Sequence, residues 1–380
     1  MVMKIDFASS AFATLGLEWE LALVDPATGE QVPVAPRLLE RVEDPKTGPI
    51  RGEFLDSMVE LVTGVHAEVG GAVAELERLR DRVLTWCEAD GVAAVGMGAH
   101  PWQDPRSQRC DQSNPQYRDV LRAGGWWAEQ LAINGLHIHI GLDDKGLALP
   151  LTQALARFCP LLIALSASSP FWLGADTGFA SQRTMLFQQL PTNGLPWPIS
   201  TWEEYLAHAE DLRLAGMIDN PTQIRWDVRP TALGTVEIRV MDSVPTLTEV
   251  GALAALAQSF TIWFTRNPGR QPQGRQWFLK ENKWRSARYG IDAELIEAVP
   301  GEFTTTLREA AQWWLDELRP IAPELGCDAE LEDITTVLDA GPSCTRQRTV
   351  HAGCGNLTDV LRSVIDETRA GVLPSPRRTE

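Results

Sequence analysis

Three short segments place chemically active side chains at alternate positions. "LGLEWELALVD" carries Glu18 and Glu20, "GLHIHIG" carries His137 and His139, and "GTVEIRVMD" carries Glu237 and Arg239. Side chains of an extended chain alternate between two faces, so each pair shares a face. Leu17, Trp19, Leu21 and Leu23 share the opposite face of the first segment, Leu136, Ile138 and Ile140 that of the second, and Val236, Ile238 and Val240 that of the third. By the same alternation Met241 falls beside Glu237 and Arg239. A fourth segment, "GEFLDSMVELVTG", holds Glu53 and Glu60, which share one face if it is a helix, since their spacing is about two turns; Leu55, Met58, Val59 and Val62 then pack. Each pair alone has a plain structural explanation: a solvated strand face, a hydrogen-bonded histidine pair, a cross-strand ion pair. Four glutamates, two histidines and an arginine together call for another. Carboxylates crowded on one face repel unless cations neutralise them, and oxygen-rich sites are what Mg2+ or Mn2+ take. A polynuclear magnesium site that clamps phosphate oxygens is the economical reading.

The elements that must position these residues are legible in outline. Apolar residues at spacings of three and four predict a helix over Ala72 to Asp90. A second helix is expected from Thr246 to Asn267, capped by Thr246 or Thr248, and the apolar stretch Leu147 to Gly174 reads as a buried core helix because Gln153, Arg157 and Pro160 interrupt it. Arg266 to Lys283, rich in Gly, Pro and Gln, reads as a loop. No repeat or linker divides the 380 residues, so one domain over 1–367 with a flexible tail over 368–380 is expected. The net charge of -17 and the lack of a basic run argue against nucleic acid or an anionic membrane as partner. The N-terminus carries no secretory pattern, which points to the cytoplasm. The six cysteines are expected to be reduced; Cys344, His351 and Cys354 form a minor zinc alternative that lacks a fourth ligand. The chain has no P-loop, G-x-G-x-x-G, G-x-S-x-G or H-E-x-x-H motif.

Several longer motifs narrow the reading: "EFLDSMVELVTG", "GAHPW", "GLHIHIG", "LIALSASSPFWLGADTGFASQR", "FQQLPTNGLPW", "RWDVRP", "GTVEIRVMDSVPTL" and "ENKWRSARYG". In combination the chain resembles the type 2 glutamate-cysteine ligases, or carboxylate-amine ligases, of actinobacterial type, from "LGLEWELALVD" to about Leu361. The resemblance implies an α+β, glutamine-synthetase-like fold, a curved antiparallel sheet forming a funnel with helices on its convex face. It implies that Glu18 and Glu20 bind separate Mg2+ ions, that Glu53 and Glu60 complete one site, and that His139 or His137 completes another with Glu237. Arg239 would neutralise a transferring phosphoryl group. The implied reaction uses ATP to activate the γ-carboxylate of glutamate as an acyl phosphate, which the amine of cysteine attacks. Another acid or amine, or a phosphotransferase on the same fold, is the alternative. Arg183 and Arg229 are candidates to hold a substrate carboxylate or phosphate, with structural ion pairs as the alternative, and Asn282, Arg285 and Arg288 are candidates for nucleotide phosphates. A homodimer is expected by the same resemblance.

Overall fold

The computed structural model describes residues 4–111, 114–270 and 275–374. Its centre is an open antiparallel sheet of seven strands: β1 (Leu15–Val24), β2 (Ile50–Gly52), β3 (Met58–Val62), β4 (Ala93–Val95), β5 (Gly135–Gly141), β6 (Val228–Pro230) and β7 (Thr235–Asp242). The order is β2-β3-β1-β5-β7-β6, and β4 pairs with the C-terminal end of β1. The apolar face of the sheet, including Leu17, Trp19, Leu21, Leu136, Ile138, Ile140, Val236 and Ile238, is fully buried. It lies against helices α1 (Val69–Ala89), α2 (Ala148–Ala156), α3 (Cys159–Ser166) and α4 (Leu247–Arg266). The predicted helix over 72–90 is α1, and that over 246–267 is α4, started by a capping box in which Thr246 and Glu249 satisfy each other's backbone N–H.

Four expectations change. The segment with Glu53 and Glu60 is not a helix: β2, a turn and β3 form it, with Glu53 in the turn and Glu60 on β3 directly opposite Glu20. Its Val and Met residues favour a pleated surface with one face on the core. The apolar stretch 147–174 is two helices bent by 57° at Arg157 and Phe158, with Pro160 in the first turn of α3, where its missing N–H costs nothing. The expected loop 266–283 gives way to α5 (Gln276–Tyr289), whose Phe278, Leu279, Asn282, Lys283, Ser286 and Ala287 are buried; residues 271–274 lie outside those described. The last helix, Leu357–Ala370, runs into the expected tail, and the Gly371 carbonyl accepts from the N–H of Leu247, which fixes it to the start of α4. Residues 375–380 lie outside those described.

A β-bulge sets the geometry of β7. Its register with β5 shifts between Leu136, opposite Met241, and Ile138, opposite Ile238, so β7 holds one more residue than its partner. Alternation is broken there, and Met241 turns into the core beside Val240 rather than onto the charged face. All six cysteines are free, five of them buried. Cys344 is buried and Cys354 exposed on one helix, Ser343–Cys354, and these two with His351 form no metal-ligating group among the described residues.

The C-terminal helices are tied to α4 by one buried charge group. Arg346 bonds Glu249 (3.0 Å) and Glu367 (2.6 Å), and Glu249 is completely buried. Removing the arginine leaves a carboxylate without its counter-charge in the interior, so Arg346→Met should destabilise the protein by about 3–5 kcal/mol in urea unfolding. A loss below about 1 kcal/mol would show that the group is not structural.

Candidate active site

The registers of β3, β1, β5, β7 and β6 place the charged residues in a staggered row that steps diagonally across the sheet, two residues at a time along β1 and β5. Glu60 is opposite Glu20, Glu18 opposite His137, His139 opposite Glu237, and Glu237 opposite Arg229. His137 Nδ1 lies 3.1 Å from Glu18 Oε2 and His139 Nε2 3.4 Å from Glu18 Oε1, so Glu18 is shared between the two imidazoles. His139 Nδ1 is 2.9 Å from the Thr235 hydroxyl, which orients that ring. Glu237 accepts from Arg229 Nε at 2.6 Å and from Arg239 Nη1 at 3.1 Å. At the other edge Arg51 bonds Glu60 (2.6 Å) and Glu18 (3.2 Å), and Tyr117 donates to Glu53 at 2.6 Å. Opposite Glu20, β5 has a glycine: the N–H of Gly135 donates to the Glu20 carboxylate, and a Cβ there would collide with the Arg183 guanidinium.

The carboxylates split into two electrostatic classes. Burial, reinforced by the charge of Glu53, pushes Glu20 up to about 8, and burial with the charges of Glu18 and Glu53 pushes Glu60 well above its ordinary value. Glu53 is also raised by burial. Burial acts the same way on Glu237, but Arg229 and Arg239 outweigh it and bring that carboxyl down to about 2. Burial is likewise outweighed at Glu18, where hydrogen bonds from His137 and His139 hold it well below the usual range. His137 is pushed down to about 4 by burial, while the bond and charge of Glu18 overcome burial and raise His139. Acids driven upward by one another in a buried place are what a bound cation would reverse.

The donor set fits divalent cations. Ligand atoms of Glu18, Glu60 and His137 lie within 4.8 Å of one another, as do those of Glu18, His139 and Glu237. Nε2 of His137 is buried with no hydrogen-bond partner among the described residues, and Nε2 of His139, also buried, has only the 3.4 Å approach to Glu18. Two groups of carboxylate oxygens with one imidazole each, meeting at Glu18, suit Mg2+ or Mn2+. Glu20 and Glu53 stand beside the first group rather than in it.

The remaining predicted residues divide. Arg183 and Arg229 are at the site and both have structural work. Arg183 donates to the carbonyls of Arg239 (3.4 Å) and Val240 (3.3 Å) at the bulge, and Arg229 to Glu237 and to the carbonyls of Thr222 and Ile224. Asn282, Arg285 and Arg288 do not join the row. The Asn282 amide is closed on the backbone of Ile296 by two bonds, Arg285 pairs with Glu281 and the Glu294 carbonyl, and Arg288 donates to the Gly178 carbonyl. Their donors are spent on bracing α5, which the loop reading of that segment concealed. Their neighbour Lys283 pairs with Asp227 at 2.6 Å, inside the protein. Residues missed in the sequence are Arg51, two positions before Glu53, and Tyr117, whose partner is distant in the chain.

The sequence profile of glutamate-cysteine ligase family 2 matches residues 14–363. The chain belongs to that family. A protein of Clavibacter michiganensis subsp. michiganensis, provisionally named a glutamate-cysteine ligase 2, is 40% identical over 376 residues, covering 97% of this chain and 98% of its own. One from Arthrobacter sp. (strain FB24), named in the same provisional way, is 42% identical over 385 residues, covering 97% and 99%. The fold is that of a glutamate-cysteine ligase crystal structure from Francisella tularensis in complex with AMP, with a TM-score of 0.67 at 14% identity over 97% of this chain and 91% of that one. A bifunctional glutathione synthetase from Pasteurella multocida gives a TM-score of 0.68 at 15% identity over 94% of this chain and 52% of that one. Family membership makes the enzyme an ATP-dependent ligase.

The raised Glu20 has a consequence for this ligase. A carboxyl raised from 4.5 to about 8 on folding adds stability that is complete below about pH 4.5 and lost as pH rises through 8. In chelator the melting temperature should therefore fall between pH 6 and 8. Millimolar Mn2+ or Mg2+ should remove the fall and release protons, and Glu20→Gln should lessen it without cation, the raised Glu53 and Glu60 accounting for what is left. A pH-independent melting temperature in chelator would contradict this account.

Proposed function

We propose that the protein joins the γ-carboxylate of glutamate to the amine of cysteine, with ATP activating the carboxylate as an acyl phosphate. The observation that carries this reading is the pair of carboxylate–imidazole groups sharing Glu18, with Arg239 beside them. Glu18, Glu60 and His137, and Glu18, His139 and Glu237, would hold divalent cations, with Glu20 and Glu53 in support. Such cations, when bound, screen the charge between two anionic reactants and polarise the transferred phosphoryl group.

The chain's own residues orient the reactants. Attack of a γ-carboxylate oxygen on the terminal phosphorus of ATP forms the acyl C–O–P linkage and breaks the bond to ADP. The amine then adds to the acyl carbon, and the adduct expels phosphate. Arg239 Nη1 is fixed by Glu237 and its guanidinium lies 5.4 Å from the Phe187 ring, while its buried Nε has no partner among the described residues. A fixed donor of this kind is already in place for phosphoryl oxygens as charge develops on them, with no reorganisation at the moment of reaction. Glu237, held to Arg229, keeps the fork from swinging away. The funnel's apolar backing excludes water from the far side of the sheet.

Purified protein with Mg-ATP, glutamate and cysteine should release ADP and phosphate together with γ-glutamylcysteine, read by mass spectrometry, and neither amino acid alone should suffice. Turnover with another acid or amine would replace the substrates, and ADP without phosphate would replace ligation by phosphotransfer. Arg239→Lys should lower kcat about 100-fold with a smaller change in KM for glutamate, because a forked donor becomes a point charge. A raised KM for glutamate with kcat unchanged would assign Arg239 to ground-state binding.

A further inference from the structure

The arginines around the funnel are committed to protein partners, with one exception. Arg51, Arg229 and Arg239 each pair with a glutamate, and Arg183 is spent on bulge carbonyls. Arg225, in "QIRWDVRP", is half-buried, and its guanidinium has no hydrogen-bond or ion-pair partner among the described residues. A half-buried guanidinium ordinarily takes a carboxylate, since unmade hydrogen bonds to a charged group are costly.

The local backbone is organised to hold this side chain in place. Arg229 Nη1 donates to the carbonyl of Ile224, the peptide that leads into Arg225. The N–H of Arg225 donates to the carbonyl of Thr192, and the Thr192 hydroxyl donates to the carbonyl of Gln223, so Thr192 grips the turn at two points. Thr192 does this at φ +68°, a conformation unfavourable for a β-branched residue, which only surrounding contacts can maintain. The next residue, Asn193, donates to the carbonyl of Phe187, whose ring carries the guanidinium of Arg239 at 5.4 Å and that of Arg183 at 5.7 Å. Buried Nε atoms of both those arginines also lack partners among the described residues. Arg225 is thus tied to the wall that carries two other incompletely used guanidiniums. Burial, and then the charges of Arg239 and Arg229, press it down to about 10, while Glu53 and Tyr117, from the opposite edge of the sheet, act on it in the other sense.

We propose that Arg225 is a substrate-binding residue that receives an anionic group, a carboxylate or a phosphate, at the rim of the funnel. This rests on the ligase reading for its choice of anions. The forked donor suits either group bidentately, and the anion would relieve the repulsion of Arg225 by Arg239 and Arg229. The strain at Thr192 is then part of keeping the fork in place before the anion arrives.

The test compares wild type, Arg225→Gln and Arg225→Lys by calorimetry with two probes, glutamate and the magnesium complex of a non-hydrolysable ATP analogue, and by melting temperature without ligand. The glutamine variant should bind one probe at least 10-fold more weakly and the other within twofold; a loss for glutamate assigns a carboxylate, and a loss for the nucleotide a phosphate. The lysine variant should recover part of the loss. Ligand-free melting temperature should stay or rise in the glutamine variant, because a repelled charge is removed, whereas a structural arginine would lower it. Both probes bound within twofold of wild type, or a lowered melting temperature with unchanged affinities in both variants, overturns the proposal. Binding is read without turnover, so a wild type that binds these probes but forms no product counts against the ligation reading alone.

Discussion

Mutual repulsion among buried carboxylates is the constraint on which the rest of this molecule turns. Glu18, Glu20, Glu60 and Glu237 occupy one face of one sheet, Glu53 stands beside them in the turn before β3, and water is largely kept from all five. The protein reduces the cost unevenly. Two of the five are satisfied by imidazoles and guanidiniums and stay ionised; three are left to be raised by burial and by each other. Such an arrangement opposes folding locally, and the opposition is offset by the extensive apolar face on the other side of the same strands. Helices α1 to α4 therefore serve the chemistry indirectly, as the stabilising weight behind an unfavourable surface.

What was legible in the sequence is what depends on alternation and periodicity. Glu18 with Glu20 and His137 with His139 stand on the expected strands, and α1 and α4 lie where the apolar spacing places them. The errors occur where tertiary structure overrides a local count. Glu53 and Glu60 suit two helical turns as well as a turn followed by a strand, and only pairing of β3 with β1 decides between them. Met241 follows strict alternation until a bulge, invisible in one sequence, inserts an extra residue. Asn282, Arg285 and Arg288 have side chains suited to phosphate, yet their partners Ile296, Glu281 and Gly178 are fixed by the fold, so residue type alone misassigns them. Arg225 is inconspicuous in the sequence for the converse reason: what distinguishes it is the lack of a partner among the described residues, and absence of a contact leaves no pattern in a string of letters.

The arginines also show how one residue type is divided among tasks. Arg346 holds helices together, Arg183 and Arg229 satisfy carbonyls around the site, and Arg239 keeps a donor uncommitted. The planar fork allows this division because its five donors can be shared between a protein partner and a ligand, which the single ammonium of a lysine does less well.

Gly135 joins these themes. Its N–H reaches Glu20 across the strand pair, and the space where a side chain would begin is filled by the Arg183 guanidinium and bordered by the His137 ring. An alanine there would displace an arginine that holds the bulge, and through it Arg239, while the apolar packing behind the sheet stayed untouched. The tolerance of this position to evolutionary drift is accordingly set by a volume rather than by a functional group: one added methyl would leave a folded protein with a misaligned donor.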